Sequence, residues 1–162
     1  MKNMKNETSV TWHNEVLNGV RIHQAYVFAV TPENEVLLVR DKDEERFTLP
    51  GGSIEGGETP EQGILRELRE EAQVDGKDLK LLGTVEVKMY DDNGKLTDHH
   101  QQIRYACKVD SLGEFTPLKD GFEVEERIAV DPFELPKYIH WLKKPNGQAL
   151  MATYFEWLAE RP

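Results

Sequence analysis

The chain lacks the material for a disulfide framework, since its 162 residues include one cysteine, Cys107. A single thiol excludes an internal disulfide, and its place in a strand-like run reads as a small core residue. It suits a reducing compartment, so a cytoplasmic location is expected. Long apolar runs are missing too. None approaches the roughly 18 residues needed to span a bilayer, and no membrane role is expected. The start, MKNMKNETSV, has lysines but no apolar segment behind them, so it is not expected to be a signal peptide. Residues 1–15 are expected to form a frayed extension. Positive charge is also short: 20 Lys and Arg face 30 Asp and Glu, for a net charge of −10. That balance counts against tight binding of long nucleic acid, which needs basic surface to displace counterions. It does not exclude a small anionic ligand held through a bound cation. Internal repeats, linkers and low-complexity segments are absent, so one domain over residues 1–162 is expected.

What remains is an ordinary globular composition, with 38% hydrophobic and 31% charged residues. Gly19–Val30 and Glu35–Arg40 read as strands joined by the turn Thr31-Pro32-Glu33-Asn34. Phe47–Leu49 is a short extended piece ahead of Pro50, and Gly51-Gly52 predicts a tight turn. Thr59 as N-cap and Pro60 at the first helical position predict a helix from Pro60 to about Gln73. Leu79–Tyr90 and Leu96–Asp110 read as a hairpin turning at Asn93-Gly94. Glu123–Val130 reads as the last strand, Asp131–Lys137 has short-turn character, and Asn146–Glu160 has the spacing of an amphipathic helix.

The stretch Gly52–Val74, GSIEGGETPEQGILRELREEAQV, concentrates acid on one short helix. On a helical wheel Ile64, Leu65, Leu68 and Ala72 form the apolar stripe. Glu67, Glu70 and Glu71 fall on one arc of roughly 100° that borders it. Like charges at this spacing repel when merely solvated. A hard divalent ion such as Mg²⁺ turns the repulsion into a ligand set and keeps substrate phosphate in its shell. Gly51, Gly52, Gly56 and Gly57 let the backbone fold closely over the helix and bring Glu58 near its N-terminus. Arg66 offers a planar donor fork that can orient a neighbouring carboxylate.

The order Gly52, Glu58, Arg66-Glu67, Leu68, Glu70-Glu71 and Val74 resembles the signature of the Nudix (MutT-like) hydrolases. That signature is Gly, five residues, Glu, seven residues, Arg-Glu, an aliphatic, any residue, Glu-Glu, any residue, Gly, an aliphatic. At average residue usage the match has a chance of roughly 10⁻⁷ to 10⁻⁸ per window. One position departs: Gln73 stands where the family has the glycine that closes the helix. Gln prefers right-handed backbone, so the helix is expected to run on or end less tightly, with Gly76 as the left-handed stop.

The resemblance implies an α/β fold, the family's α/β/α sandwich with a mixed β-sheet. It implies a hydrolase that uses Mg²⁺ or Mn²⁺ to cleave the pyrophosphate linkage of a nucleoside diphosphate joined to another moiety. Carried over by position, Glu67, Glu70 and Glu71 are expected as metal ligands and catalytic residues, with Arg66 orienting them. Glu58 is expected as a loop support or further ligand, and Gly51 and Gly52 as the loop over the helix. The general base is expected to be a helix glutamate or a glutamate of Glu123–Glu126, with Glu126 preferred. The expected partner is a small nucleotide such as an NTP, nucleotide sugar or dinucleoside polyphosphate, and a homodimer is open. The proline typical of ADP-ribose hydrolases is missing where Met89 and Tyr90 stand. Tyr90 points instead toward dinucleoside polyphosphates as a substrate-binding residue. His99-His100 reads as surface or structural. Three other readings compete: a binding or regulatory module without catalysis, a 5′-end RNA pyrophosphohydrolase, and a diphosphate-isoprenoid isomerase. The first is opposed by the complete set of box carboxylates, the second by the acidic charge, and the third by the strand context of Cys107.

Overall fold

A computed structural model describes residues 6–118 and 124–160. Among them, seven strands form one sheet: β1 (Glu7–His13), β2 (Arg21–Val30), β3 (Val36–Asp41), β4 (Gly51–Ser53), β5 (Lys77–Tyr90), β6 (Leu96–Lys108) and β7 (Val124–Val130). The order is β1-β5-β6-β2-β3-β7, with β4 paired to β2. The β2–β6 pair is parallel. All other pairings in the sheet are antiparallel. The helices are α1 (Pro60–Ala72), the short α2 (Leu135–Tyr138) and α3 (Pro145–Glu160). The expected α/β architecture with a mixed sheet is the one observed.

Alternation along β2 divides the interior into two layers. Ala25, Val27 and Ala29 pack with Ile64, Leu68 and Ala72 of α1. Phe28 and Val30 pack with Leu150 and Tyr154 of α3. The α1 residues belong to the apolar stripe read from sequence. α1 begins with a capping box: Gln62 N–H donates to Thr59 Oγ1 at 3.1 Å, and Thr59 N–H donates to Gln62 Oε1 at 2.9 Å. The hairpin turn also forms as read, with Gly94 at φ 79° and Asp91 Oδ1 accepting from the amides of Asn93 and Lys95.

Three expectations are corrected. Residues 7–13 of the expected frayed extension are an edge strand, in register with β5 from Glu7↔Tyr90 to His13↔Thr84. In the run ETSVTWH, Trp12 packs against the α3-side core while Val10 stays exposed, and pairing with β5 and a latch from α3 hold the strand. Asn146 Nδ2 donates to Val10 O at 2.7 Å, and Asn146 Oδ1 accepts from Trp12 N at 3.0 Å. Gly51-Gly52 is the start of β4 rather than a tight turn, because Gly51 and Gly52 pair with Tyr26 and Ala25. A Cβ at Gly51 would lie 2.1 Å from Ala25 O, so the close approach requires glycine. Third, α1 stops at Ala72 and Gln73 itself takes the left-handed conformation, φ 58° and ψ 40°. Gly76 has no positive φ. It serves close packing, since a Cβ there would meet Cys107 Sγ at 2.9 Å. Glu123, the expected start of the last strand, lies outside the described residues.

Candidate active site

The site is built where α1 passes under β4. Arg66 is its organiser. Its Nε and Nη2 donate to the two oxygens of Glu58, at 3.1 and 2.8 Å, as a bidentate fork. Nη1 donates to Glu67 Oε1 at 3.0 Å and to Glu70 Oε2 at 3.1 Å. One guanidinium therefore ties three glutamates of the motif together. It also reaches Ser53 O on β4 at 3.3 Å, locking strand to helix. The Glu58 carboxyl is held below its ordinary range, chiefly by this hydrogen bonding to Arg66 and then by the Glu55 amide. Both Glu58 oxygens are thus occupied, by Arg66 and by the Glu55 amide.

Glu71 turns toward the backbone of β4 and accepts from Gly51 N–H at 3.0 Å. Burial pushes its carboxyl well above the ordinary range; the Gly51 amide opposes this, while the carboxylates of Glu67 and Asp41 reinforce it. Glu67 lies under Gly52, where a Cβ would stand 3.0 Å from Oε1. The two glycines therefore have separate duties: Gly51 admits β2, and Gly52 leaves room for Glu67.

Among the described residues no group of three His, Cys, Asp or Glu side chains stands ready as a metal cage. The donor chemistry nevertheless fits a hard cation. Glu67 and Glu71 adjoin each other, and the half-buried Glu71 answers to an amide rather than to a positive side chain.

The last turn of α1 is secured from the other side. The Gln73 amide pairs with the backbone of Thr116, while Arg127 Nη1 donates to Ala72 O at 2.7 Å and Nη2 donates to Gly113 O at 2.8 Å. These contacts replace the glycine that the signature expects.

Two candidates make none of these contacts. Glu126 is half-exposed on β7, and its Oε1 accepts from Arg40 Nε and Nη2 at 3.3 and 3.1 Å. Tyr90 closes the β5–β6 hairpin opposite Leu96. Gly83 of β5 is opposite Arg104, in the row leading through Tyr26 to Gly51. Tyr90 lies seven residues further along, about 23 Å at strand spacing. His99 and His100 are structural, as read: His99 Nε2 is 2.8 Å from Glu86 Oε2, and the buried His100 is 2.7 Å from Asp98 Oδ2. Burial pushes the Cys107 thiol up to about 12, so it is inert core.

Sequence reasoning missed Asp41, whose charge reaches Glu71 from the end of β3. It also missed Arg104, a buried basic residue in the otherwise apolar run Ile103–Cys107. That interruption was the available signal.

A mixed sheet between helical layers, carrying an arginine-tied glutamate helix beneath a glycine strand, defines a scaffold for pyrophosphate hydrolysis. Residues 21–157 match the NUDIX domain model, and the chain belongs to the NUDIX family, as a pyrophosphohydrolase. It is 32% identical over 131 residues to the ADP-ribose pyrophosphatase of Methanocaldococcus jannaschii, a match covering 79% of this chain and 70% of that protein. It is 34% identical over 87 residues to YjhB of Bacillus subtilis, covering 53% of this chain and 41% of that protein. In fold it resembles the crystal structure of the Bacillus subtilis pyrophosphohydrolase BsRppH, with a TM-score of 0.69, 21% identity, and coverage of 92% and 91% of the two chains. Among the described residues no helix is long and apolar enough to cross a membrane.

Proposed function

We propose that the chain hydrolyses the pyrophosphate linkage of a nucleoside diphosphate joined to another moiety, with a divalent cation, Mg²⁺ or Mn²⁺, held by Glu67, Glu70 and Glu71. The observation that carries this reading is the Arg66 fan, which gathers Glu58, Glu67 and Glu70 within hydrogen-bond distance beside β4. When bound, such a cation supplies charge neutralisation at the phosphate and acidifies water.

The chain's own residues do the remaining work. Arg66 holds Glu67 and Glu70 in fixed rotamers, so their oxygens are aimed before substrate arrives. Gly51 N–H fixes Glu71 from the opposite side. Glu58 neutralises Arg66 and anchors the loop through the Glu55 amide, which donates to its Oε1 at 2.8 Å. The proton acceptor is assigned to the helix glutamates, because Arg40 already engages Glu126. The protein is expected to work in the cytoplasm on small nucleotides, consistent with its acidic charge.

The test is release of phosphate-containing products from NTPs, nucleotide sugars, ADP-ribose and dinucleoside polyphosphates with Mg²⁺ or Mn²⁺. Glu70→Gln or Glu71→Gln is expected to abolish metal-dependent turnover with the fold retained. Turnover unchanged in both variants would overturn the assignment.

A further inference from the structure

On the α3 side of the sheet, a cavity of about 340 Å³ opens between β2, β6 and the α2 segment. Its walls are mainly apolar and aromatic: Phe47, Leu49, Tyr138, Ile139, Trp141 and Leu142. Arg104 also lines it, and is 6% exposed. The Arg104 guanidinium carbon lies 4.6 Å from the Tyr26 ring centroid and 5.8 Å from that of Trp141. Its hydrogen bonds are two long ones, both 3.4 Å, to the backbone and side-chain oxygens of Gln102. Nε has no partner, and among the described residues no carboxylate pairs with this arginine.

This arrangement is costly without a ligand. A buried cation ordinarily has an opposite charge or several strong acceptors. Burial lowers the basicity of Arg104 to about 10, which still leaves it charged at neutral pH. The cavity lining contains no Asp or Glu, although the chain has 30 of them. Its other basic members are Arg46 and His140.

The cavity adjoins the glutamate site. Tyr26 lines the cavity and is paired with Gly51, whose N–H holds Glu71. The Phe47–Leu49 wall also runs directly into Pro50 and β4. The Tyr26 phenol feels Arg104 on one side and the Glu71 and Glu67 carboxylates on the other, so a molecule whose phosphates lie beside those glutamates would reach the cavity past this ring.

We infer that this cavity receives the substrate's nucleobase, and that Arg104 selects bases presenting a carbonyl edge, guanine or uracil, over the amino-bearing adenine and cytosine. The inference rests on the function proposed above. Apolar and aromatic walls favour a planar ring, whereas a phosphate would lose most of its hydration against those walls. Guanine presents O6 and N7 as acceptors to an arginine fork, and a 4-oxo pyrimidine presents O4. Adenine and cytosine place an amino donor at that edge, where the cavity offers a cation and no carboxylate. Leaving a buried donor unpaired is what makes such discrimination steep.

The experiment is calorimetric titration of the whole chain with GDP, UDP, ADP and CDP in EDTA, which separates base recognition from catalysis. GDP and UDP are expected to bind at least tenfold tighter than ADP and CDP. Arg104→Met, which removes the buried charge while filling its volume, is expected to bring all four within about twofold, with unfolding monitored alongside. Arg104→Lys, which keeps charge without the fork, serves if the methionine variant does not fold, and is expected to lose most of the preference. Equal affinities in the unaltered protein, no binding of any diphosphate, or a preference that survives in the folded variant would each overturn the inference. Metal-dependent hydrolysis at equal rates for all four bases would remove the base selection and leave the proposed function standing. A carbonyl-edge preference without hydrolysis of any linked diphosphate would do the reverse.

Discussion

The side chain of Gln73 clasps the backbone of Thr116 in both directions: Nε2 donates to Thr116 O at 2.7 Å, and Oε1 accepts from Thr116 N at 3.1 Å. The residue that breaks the family signature thus carries its own compensation. A non-glycine residue in left-handed backbone costs about 1–2 kcal/mol, and each exposed hydrogen bond returns about 0.5–1.5 kcal/mol. Gln73→Gly is therefore expected to be near neutral in stability and to leave activity within a few-fold. Gln73→Ala keeps the strain and loses the clasp, and should be the less stable by about 1 kcal/mol in urea denaturation. The reverse order would mean that the clasp contributes nothing.

Arg66→Lys tests the fan. Lysine keeps the charge but cannot hold Glu58 with a fork while reaching Glu67 and Glu70. Turnover is expected to fall at least tenfold, in kcat rather than KM, with circular dichroism unchanged. A pure KM effect would move Arg66 from orienting carboxylates to binding substrate.

Glu126→Gln tests the proton acceptor. With Arg40 engaging its carboxylate, the variant is expected to retain turnover within about threefold and an unshifted pH–rate profile. A loss of a hundredfold, with the alkaline or acid limb displaced, would return Glu126 to the role preferred from the sequence.

Glu86 sits between His13 and His99, at 3.0 and 2.8 Å, joining β1, β5 and β6. Hydrogen bonding to His99 and then to His13 holds its carboxyl below the ordinary value of 4.5. A depressed carboxyl stabilises the fold above its unfolded-state pKa, and that contribution is lost as pH falls through the folded value. The stability gap between the unaltered protein and Glu86→Gln should be present at pH 6 and shrink below about pH 4.5. A gap independent of pH between 6 and 3 would show that the loss is one of packing.

Gly51→Ala is expected to destabilise by about 1–3 kcal/mol, because its Cβ would drive into Ala25 O and the Tyr26 ring. Gly56→Ala, where a Cβ meets open space, is the matched control and should change little. Equal effects at the two positions would contradict the close pairing of β4 with β2.

Much of this was legible because it is local. The Thr59 cap, the Asn93-Gly94 turn and the stripes of α1 and α3 depend on residues a few positions apart. The spacing of Glu58, Arg66, Glu67 and Glu70 likewise carries its geometry within one loop and one helix. What escaped depends on contacts across the chain. Strand β1 carries only Val10 and Trp12 as an apolar signal and is fixed by contacts with Asn146 and β5 far along the chain. Gln73 could be read as a flaw because nothing nearby announces Thr116. Tyr90 has the right residue type, but strand register carries it away from β4. Arg104 was readable only as an anomaly until Tyr26, Trp141 and Phe47 closed around it.

The parallel pairing of β2 with β6 also sets a timetable. Arg21 finds its partner at His100, after α1 and all of β5 have been made. At synthesis rates of about 5–20 residues per second, β2 waits roughly 4–16 s for that neighbour. Throughout the interval Ala25–Val30 presents one unpaired, apolar edge, and β4 can dock only on its other side. The strand that later carries the wall between the cavity and the glutamates is thus an association-prone segment of the nascent chain, and an early target for a holding chaperone.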